Sequence, residues 1–86
     1  MSAVLFADGL EAAFVGLGQQ FNRHVAVYDL DAVLELLCRR DGMSYDDAQE
    51  HIEFNILGAW VGPSTPIFVK RVPLVQAKNI AAHLDD

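Results

Sequence analysis

The chain has 86 residues and a mass of 9.5 kDa, which is enough for one small domain. Its apolar fraction of 52% excludes a disordered composition, and its formal net charge of −6 argues against direct nucleic-acid binding, which needs a basic face. The single Cys38 excludes a disulfide-rich secreted protein and fits a reducing cytoplasm. The longest uncharged stretch, residues 54–69, is shorter than the roughly 20 residues of a membrane span, so we expect no membrane segment.

The first third of the chain predicts a β-hairpin. Residues 11–19 alternate as a strand does, residues 20–23 predict a turn, and residues 24–28 predict a second, Val-rich strand. Gly16 and Gly18 fall on the same face of the first strand, which predicts that another element packs closely there.

Two helices with clear end signals follow the hairpin. Asp29 is placed to cap the first helix, and Gly42 is placed to end it. Ser44 is placed to cap the second helix, which must end by Gly58 or soon after it. Each segment carries an apolar residue at every third or fourth position, and the connection is short. We therefore expect an antiparallel αα-hairpin.

A third strand and a last helix complete the predicted fold. Pro66 precedes a strand predicted over residues 67–72, and an apolar stripe predicts a helix from residue 74 to residue 84. The order ββααβα predicts a small α+β domain, an antiparallel hairpin plus a third strand with the αα-hairpin on one face. We assign residues 1–86 to one domain, with its core in residues 8–72 and a helical extension in residues 73–86.

Asp29 and Asp31 follow an apolar strand, in the sequence VAVYDLD at residues 25–31. This segment resembles the first motif of haloacid-dehalogenase-type phosphotransferases, which implies Asp29 as nucleophile and Asp31 as general acid/base beside Mg²⁺. Position 33 is Val where that family usually has Thr, and the chain is too short for the family's remaining elements. Helix capping explains Asp29 equally well, so we expect neither a metal nor a cofactor and keep this site as an alternative.

An acidic stripe runs along the second predicted helix. Asp46, Glu50 and Glu53 stand at positions i, i+4 and i+7, while Asp47 and His51 stand at i and i+4. Residues 29–53 hold eight acids and two arginines, a balance equal to the whole net charge. The stripe is compatible with a solvated helix face, with a divalent metal site, or with docking on a basic partner.

An apolar, uncharged segment follows this stripe. Residues 54–68 include two Phe, Trp60 and several aliphatic residues. We expect most of this segment to be core. A domain this small has limited room, so part of it could form a homodimer or partner interface with Trp60 as its anchor.

Three segments together resemble a family of small proteins from tailed phages and prophages, without an assigned activity. They are VAVYD at residues 25–29, DGMSYDDAQEHIEFNILGAWVG at residues 41–62 and TPIFV at residues 65–69. The resemblance implies a phage-type origin and a bacterial cytoplasmic setting, and it identifies no catalytic residue. It also directs attention to Glu53, Phe54 and Asn55. We interpret Asn55 and Gly58 as structural, with the amide anchoring the following turn through backbone hydrogen bonds.

The function predicted from these observations is a non-enzymatic, acidic interaction protein that binds a host or phage protein. The residues predicted to contact the partner are Asp46, Glu50, Glu53 and Trp60. One alternative is a small metal-dependent phosphotransfer or hydrolase-like domain that uses Asp29 and Asp31. Another is a self-assembling structural protein.

Overall fold

The computed structural model of the chain describes residues 4–84. Three strands and three helices follow one another in the order ββααβα, which confirms the predicted α+β class. In chain order, the elements are a 3₁₀ turn Glu11–Ala13, β1 Phe14–Gln20, β2 Arg23–Asp29, α1 Leu30–Arg40, α2 Tyr45–His51, a π-helical turn Ile52–Ile56, β3 Ile67–Val69 and α3 Leu74–Ala81.

The three strands form one mixed sheet in the order β1-β2-β3. β1 and β2 pair antiparallel around a two-residue turn, in which Phe21 adopts a positive φ of 57°. β3 pairs parallel with β2, and Tyr28 lies opposite Phe68. The two helices carry the chain from the end of β2 back to the start of β3, as a parallel connection requires.

Two predicted strands are shorter in the structure. The first strand was predicted from residue 11, but residues Glu11–Ala13 form a 3₁₀ turn and β1 begins at Phe14. The third strand was predicted to reach residue 72, but β3 ends at Val69. Val69 lies opposite Asp29, the last residue of β2, and beyond Asp29 the chain enters α1. The third strand therefore has no backbone to pair with after Val69.

The predicted helix ends are confirmed. Asp29 Oδ1 accepts a hydrogen bond from the backbone N–H of Ala32 at 3.1 Å, and Ser44 Oγ accepts one from Asp47 N–H at 3.1 Å. Gly42 has a φ of +69°, the left-handed conformation that favours glycine after a helix.

Tyr28 lies at the centre of the core and is only 2% exposed. Its ring stacks on Phe68, with the two ring centroids 5.6 Å apart, and meets the edge of Phe14 at the same separation. Its hydroxyl accepts a hydrogen bond from the backbone N–H of Ala7 at 2.8 Å. The buried cluster around it comprises Leu10, Ala13, Ala26, Val33, Leu37, Ala48 and Ile52.

Only one of the two glycines of β1 is in a crowded position. A Cβ at Gly18 would lie 2.9 Å from Cγ2 of Val27, whereas a Cβ at Gly16 would meet nothing within 4 Å. Gly16 instead adjoins the bulge of β1, where the pairing shifts after Phe14. The predicted close approach therefore holds for Gly18 alone, and it comes from the neighbouring strand.

Arg40 joins the end of α1 to the segment before β1. Its guanidinium donates to the carbonyl of Gly9, and its Nε donates to Asp41 Oδ1 at 2.8 Å. The hydrogen bond from Arg40 holds the pKa of the Asp41 carboxyl below its usual value. The pKa of Glu11 is also lowered, by hydrogen bonds from its own backbone N–H and from that of Gly9.

Candidate functional site

Most of the apolar segment after α2 is exposed rather than buried. Phe54 is 73% exposed, Trp60 is 74% exposed and Leu57 is 49% exposed. From this segment, only Ile56 and Phe68 pack against the core cluster. The expectation that residues 54–68 are mostly core is therefore wrong.

Helix geometry explains the exposure of Phe54. Ala48 and Ile52 are buried and Ile56 packs against them, so positions four apart form the inward face of this helix. Phe54 lies two residues from both Ile52 and Ile56, which is about 200° around a helix axis. Its ring consequently faces away from the sheet, where no described element covers it.

A π-helical turn ends this helix, and the sequence pattern did not predict it. The backbone N–H of Leu57 donates to the carbonyl of Ile52 at 2.7 Å, five residues earlier. Such turns are rare in proteins and frequent at functional sites. Within it, Asn55 Nδ2 lies 3.3 Å from His51 Nδ1, so the amide pairs with a side chain. The backbone anchoring predicted for Asn55 is not found within residues 4–84.

The predicted acidic stripe lies on the exposed side of the same helix. Asp46, Glu50 and Glu53 are all exposed, and none of them takes part in an ion pair within the described part of the chain. Three carboxylates without cations leave this side of the helix with a local negative potential.

Acidic and apolar side chains line two depressions beside this helix. Glu50 and Phe54 line one depression of about 350 Å³, and Glu53 and Leu57 line a second of about 120 Å³. Trp60 follows Leu57 by three residues. We call the surface of these residues the acidic-apolar face: Asp46, Glu50, Glu53, Phe54, Leu57 and Trp60.

The loop after Trp60 is held by Thr65, the first residue of the TPIFV segment, for which no structural role was predicted. Its hydroxyl accepts from the backbone N–H of Val61 at 2.9 Å and donates to the carbonyl of Gly62 at 2.6 Å. Its own N–H donates to the same carbonyl at 3.0 Å. These hydrogen bonds close a turn over residues 62–65, which leads the chain to Pro66 and β3.

Asp29 and Asp31, the residues of the alternative phosphotransfer function, both take part in ion pairs. Because β2 and β3 are parallel, their carboxyl ends meet at one edge of the sheet. There Arg71 Nε lies 3.1 Å from Asp29 Oδ2, and Lys70 Nζ lies 3.9 Å from Asp31 Oδ1. The other oxygen of Asp29 caps α1. Asp29 thus both caps α1 and pairs with Arg71, while the pair between Lys70 and Asp31 is longer and joins two exposed side chains.

No group of three or more His, Cys, Asp or Glu is placed to hold a metal ion within residues 4–84. An open apolar groove of about 490 Å³ lies between the segment before β1, α1 and the loop before β3. Its few polar lining residues include Asp8, His51 and Asn55.

In the described part of the chain, no helix is both long enough and apolar enough to cross a membrane. Comparisons with protein-family models, with curated proteins and with solved structures found no match for this chain.

Proposed function

We propose that this chain is a non-enzymatic protein-binding module and that the acidic-apolar face is its contact surface. The observation that carries the proposal is the exposure of Phe54, Leu57 and Trp60 close in the chain to three carboxylates that form no ion pair within residues 4–84. Single exposed apolar residues are common, but three large exposed apolar side chains within one short segment, next to acidic residues, favour an interaction site. Trp and Phe are also among the residues enriched at the centres of interfaces.

The chemistry of the face specifies its partner in outline. The partner presents an apolar pocket or ridge for Trp60 and Phe54, with Lys or Arg around it for the carboxylates. The charges would speed association and select the partner, while burial of the aromatic rings would supply most of the affinity. Such binding weakens as salt rises, because salt screens exposed charges.

The setting that we propose is the cytoplasm of a bacterial host, with a phage or prophage origin. The segments at residues 25–29, 41–62 and 65–69 support it through their resemblance to small phage proteins. Direct nucleic-acid binding is disfavoured by the net charge of −6. A metal-dependent reaction at Asp29 and Asp31 is disfavoured by the ion pairs with Arg71 and Lys70.

The experiment is affinity capture from bacterial lysate at low and at high salt, read by mass spectrometry. We expect one basic protein to be captured at low salt and to be reduced or lost at high salt. Trp60→Ala should reduce its capture about tenfold or more, the effect typical of an interface anchor. Glu50→Gln together with Glu53→Gln should mainly remove the salt dependence.

Leu17→Ala provides the matched control, since Leu17 is 59% exposed and lies on β1, outside the acidic-apolar face. It should leave capture unchanged. Capture that responds equally to Leu17→Ala and Trp60→Ala would contradict the proposed surface. Retention of the partner by all these variants would contradict it as well.

A further inference from the structure

The sheet has two edges, and the strand at one of them is protected against pairing with another strand. This strand, β3, is three residues long, follows Pro66 directly and is followed by Lys70. Short length, proline and lysine are devices by which natural proteins stop an exposed edge from pairing. The sequence of β3 therefore blocks its own edge.

β1, at the opposite edge, has none of these devices apart from one bulge. It is seven residues long, and residues 12–22 contain neither a proline nor a charged side chain. The bulge lies at its start, between Phe14 and Gly16, and pairing with β2 is regular after it. Val15 is 44% exposed and Leu17 is 59% exposed. β1 is therefore an apolar strand with an open edge.

The open edge of β1 presents backbone groups that an extended chain can pair with. In an antiparallel pair, every second residue of a strand directs its N–H and C=O away from the neighbouring strand. Within residues 4–84, β1 pairs with β2 alone, so these outward groups have no strand beside them. Their complement is another backbone in the extended conformation, which adds to the sheet as a further strand.

Charge favours a second copy of this chain as that extended partner. A two-fold axis sets β1 against itself, so any charge on this strand would face a like charge, and β1 has none. All twelve acids lie outside residues 12–28, so two chains of net charge −6 meet here without a carboxylate on either paired strand. Because β1 is already a strand, pairing with its copy costs less ordering entropy than capture of a flexible peptide.

We propose that the open edge of β1 pairs antiparallel with β1 of a second copy, which joins the two three-stranded sheets into one continuous sheet. The contact is reciprocal and closed, because both copies use the same edge and β3 remains the outer strand at each end. The acidic-apolar face lies on α2 and the segment after it, not on this edge, so the dimer does not depend on the proposed function.

Sedimentation velocity of the full chain, over a range of concentrations and at two salt levels, tests for the dimer. We expect a dimer that persists or strengthens at high salt, because salt screens the repulsion between two acidic chains. Leu17→Lys should raise the dimer dissociation constant about tenfold or more, since it places a lysine on each of the paired strands. Val75→Lys is the matched control, because Val75 is 73% exposed and lies on α3, which follows the protected strand. It should leave the dimer nearly unchanged.

Hydrogen exchange followed by NMR locates the contact. Backbone amides at alternate positions of β1 should exchange more slowly at high protein concentration, where the dimer forms, than at low concentration. The amides of β3 are an internal control, because that edge stays open and should exchange equally at both concentrations. Circular dichroism checks the fold of Leu17→Lys, which should be preserved because the Leu17 side chain is largely exposed.

A chain that stays monomeric at every concentration would overturn the proposal. So would equal effects of Leu17→Lys and Val75→Lys, or a dimer in which the β1 amides exchange as fast as in the monomer. Protection of the β1 amides by a different captured protein, with the chain itself monomeric, would assign the edge to a foreign strand and refute the second copy. Leu17→Lys should leave capture through Trp60 unchanged, so the dimer and the proposed function fail separately.

Discussion

Replacing Tyr28 separates two contributions to stability that meet in one side chain. Tyr28→Phe keeps the ring and removes the hydroxyl that accepts from Ala7 N–H at 2.8 Å. Because Ala7 is only partly buried, water can reach part of the freed N–H, so we expect a loss of about 1 kcal/mol. Tyr28→Ala also removes a ring that is 2% exposed and packed between Phe14 and Phe68, and should cost about 3 to 5 kcal/mol.

Urea unfolding followed by far-ultraviolet circular dichroism measures both losses. For Tyr28→Phe, the slope of the unfolding free energy against urea concentration should stay constant while the midpoint concentration falls. This is expected when only the free energy of unfolding in water changes. Tyr45→Phe is the matched control, since its side chain is 58% exposed, and it should change the free energy by less than about 0.5 kcal/mol. Equal costs for Tyr28→Phe and Tyr28→Ala would refute the reasoning, because the ring would then contribute nothing beyond its hydroxyl.

Two further predictions concern charged groups at helix ends. Asp29→Ala should cost about 1 to 2 kcal/mol in urea unfolding, through loss of the cap on Ala32, while Asp29→Asn should cost less because its amide oxygen can still cap. Neither loss should depend on Mg²⁺; a thermal shift with Mg²⁺ that Asp29→Asn abolishes would instead support the metal alternative. The pKa of Asp41 is lower in the folded state than its ordinary value near 4, so its pairing with Arg40 stabilises the fold above that pH and is lost as pH falls through the folded pKa. A carbon-detected NMR titration should show the low pKa, and Arg40→Gln should return it toward the ordinary value.

The features that the sequence predicted well depend on residues close together in the chain. A cap needs one side chain and a backbone N–H three residues later, which is why Asp29 and Ser44 could be identified. Gly42 could be identified because a helix end favours a residue that tolerates positive φ. The order of strands and helices follows from such local signals and from periodicity, and it is confirmed.

The features that the sequence analysis did not predict depend on residues that are far apart in the chain. The ion pair between Asp29 and Arg71 exists because β3 runs parallel to β2, and nothing local to either residue specifies that direction. β1 is shorter than predicted because residues Glu11–Ala13 form a 3₁₀ turn, and β3 is shorter because Val69 lies opposite the last residue of β2. The exposure of Phe54 was missed because apolar character alone does not show which residues the small core has room to accept.

The candidate site was predicted in part. The exposure of Asp46, Glu50 and Glu53 followed from their helical spacing, and the structure places all three on the surface. The π-helical turn beside them was not predictable from apolar periodicity, since its extra residue changes the spacing only locally. Whether the face binds a partner stays a prediction.

The small core and the large exposed apolar surface are two aspects of one arrangement. A chain of 86 residues can bury only part of its apolar side chains, and here Tyr28 and its neighbours occupy the single layer between the sheet and the helices. The aromatic residues after α2 and the stripe of α3 then remain outside. Stability and binding are consequently coupled, because any partner that covers these surfaces raises the free energy of unfolding by an amount that grows with the logarithm of its concentration relative to its dissociation constant.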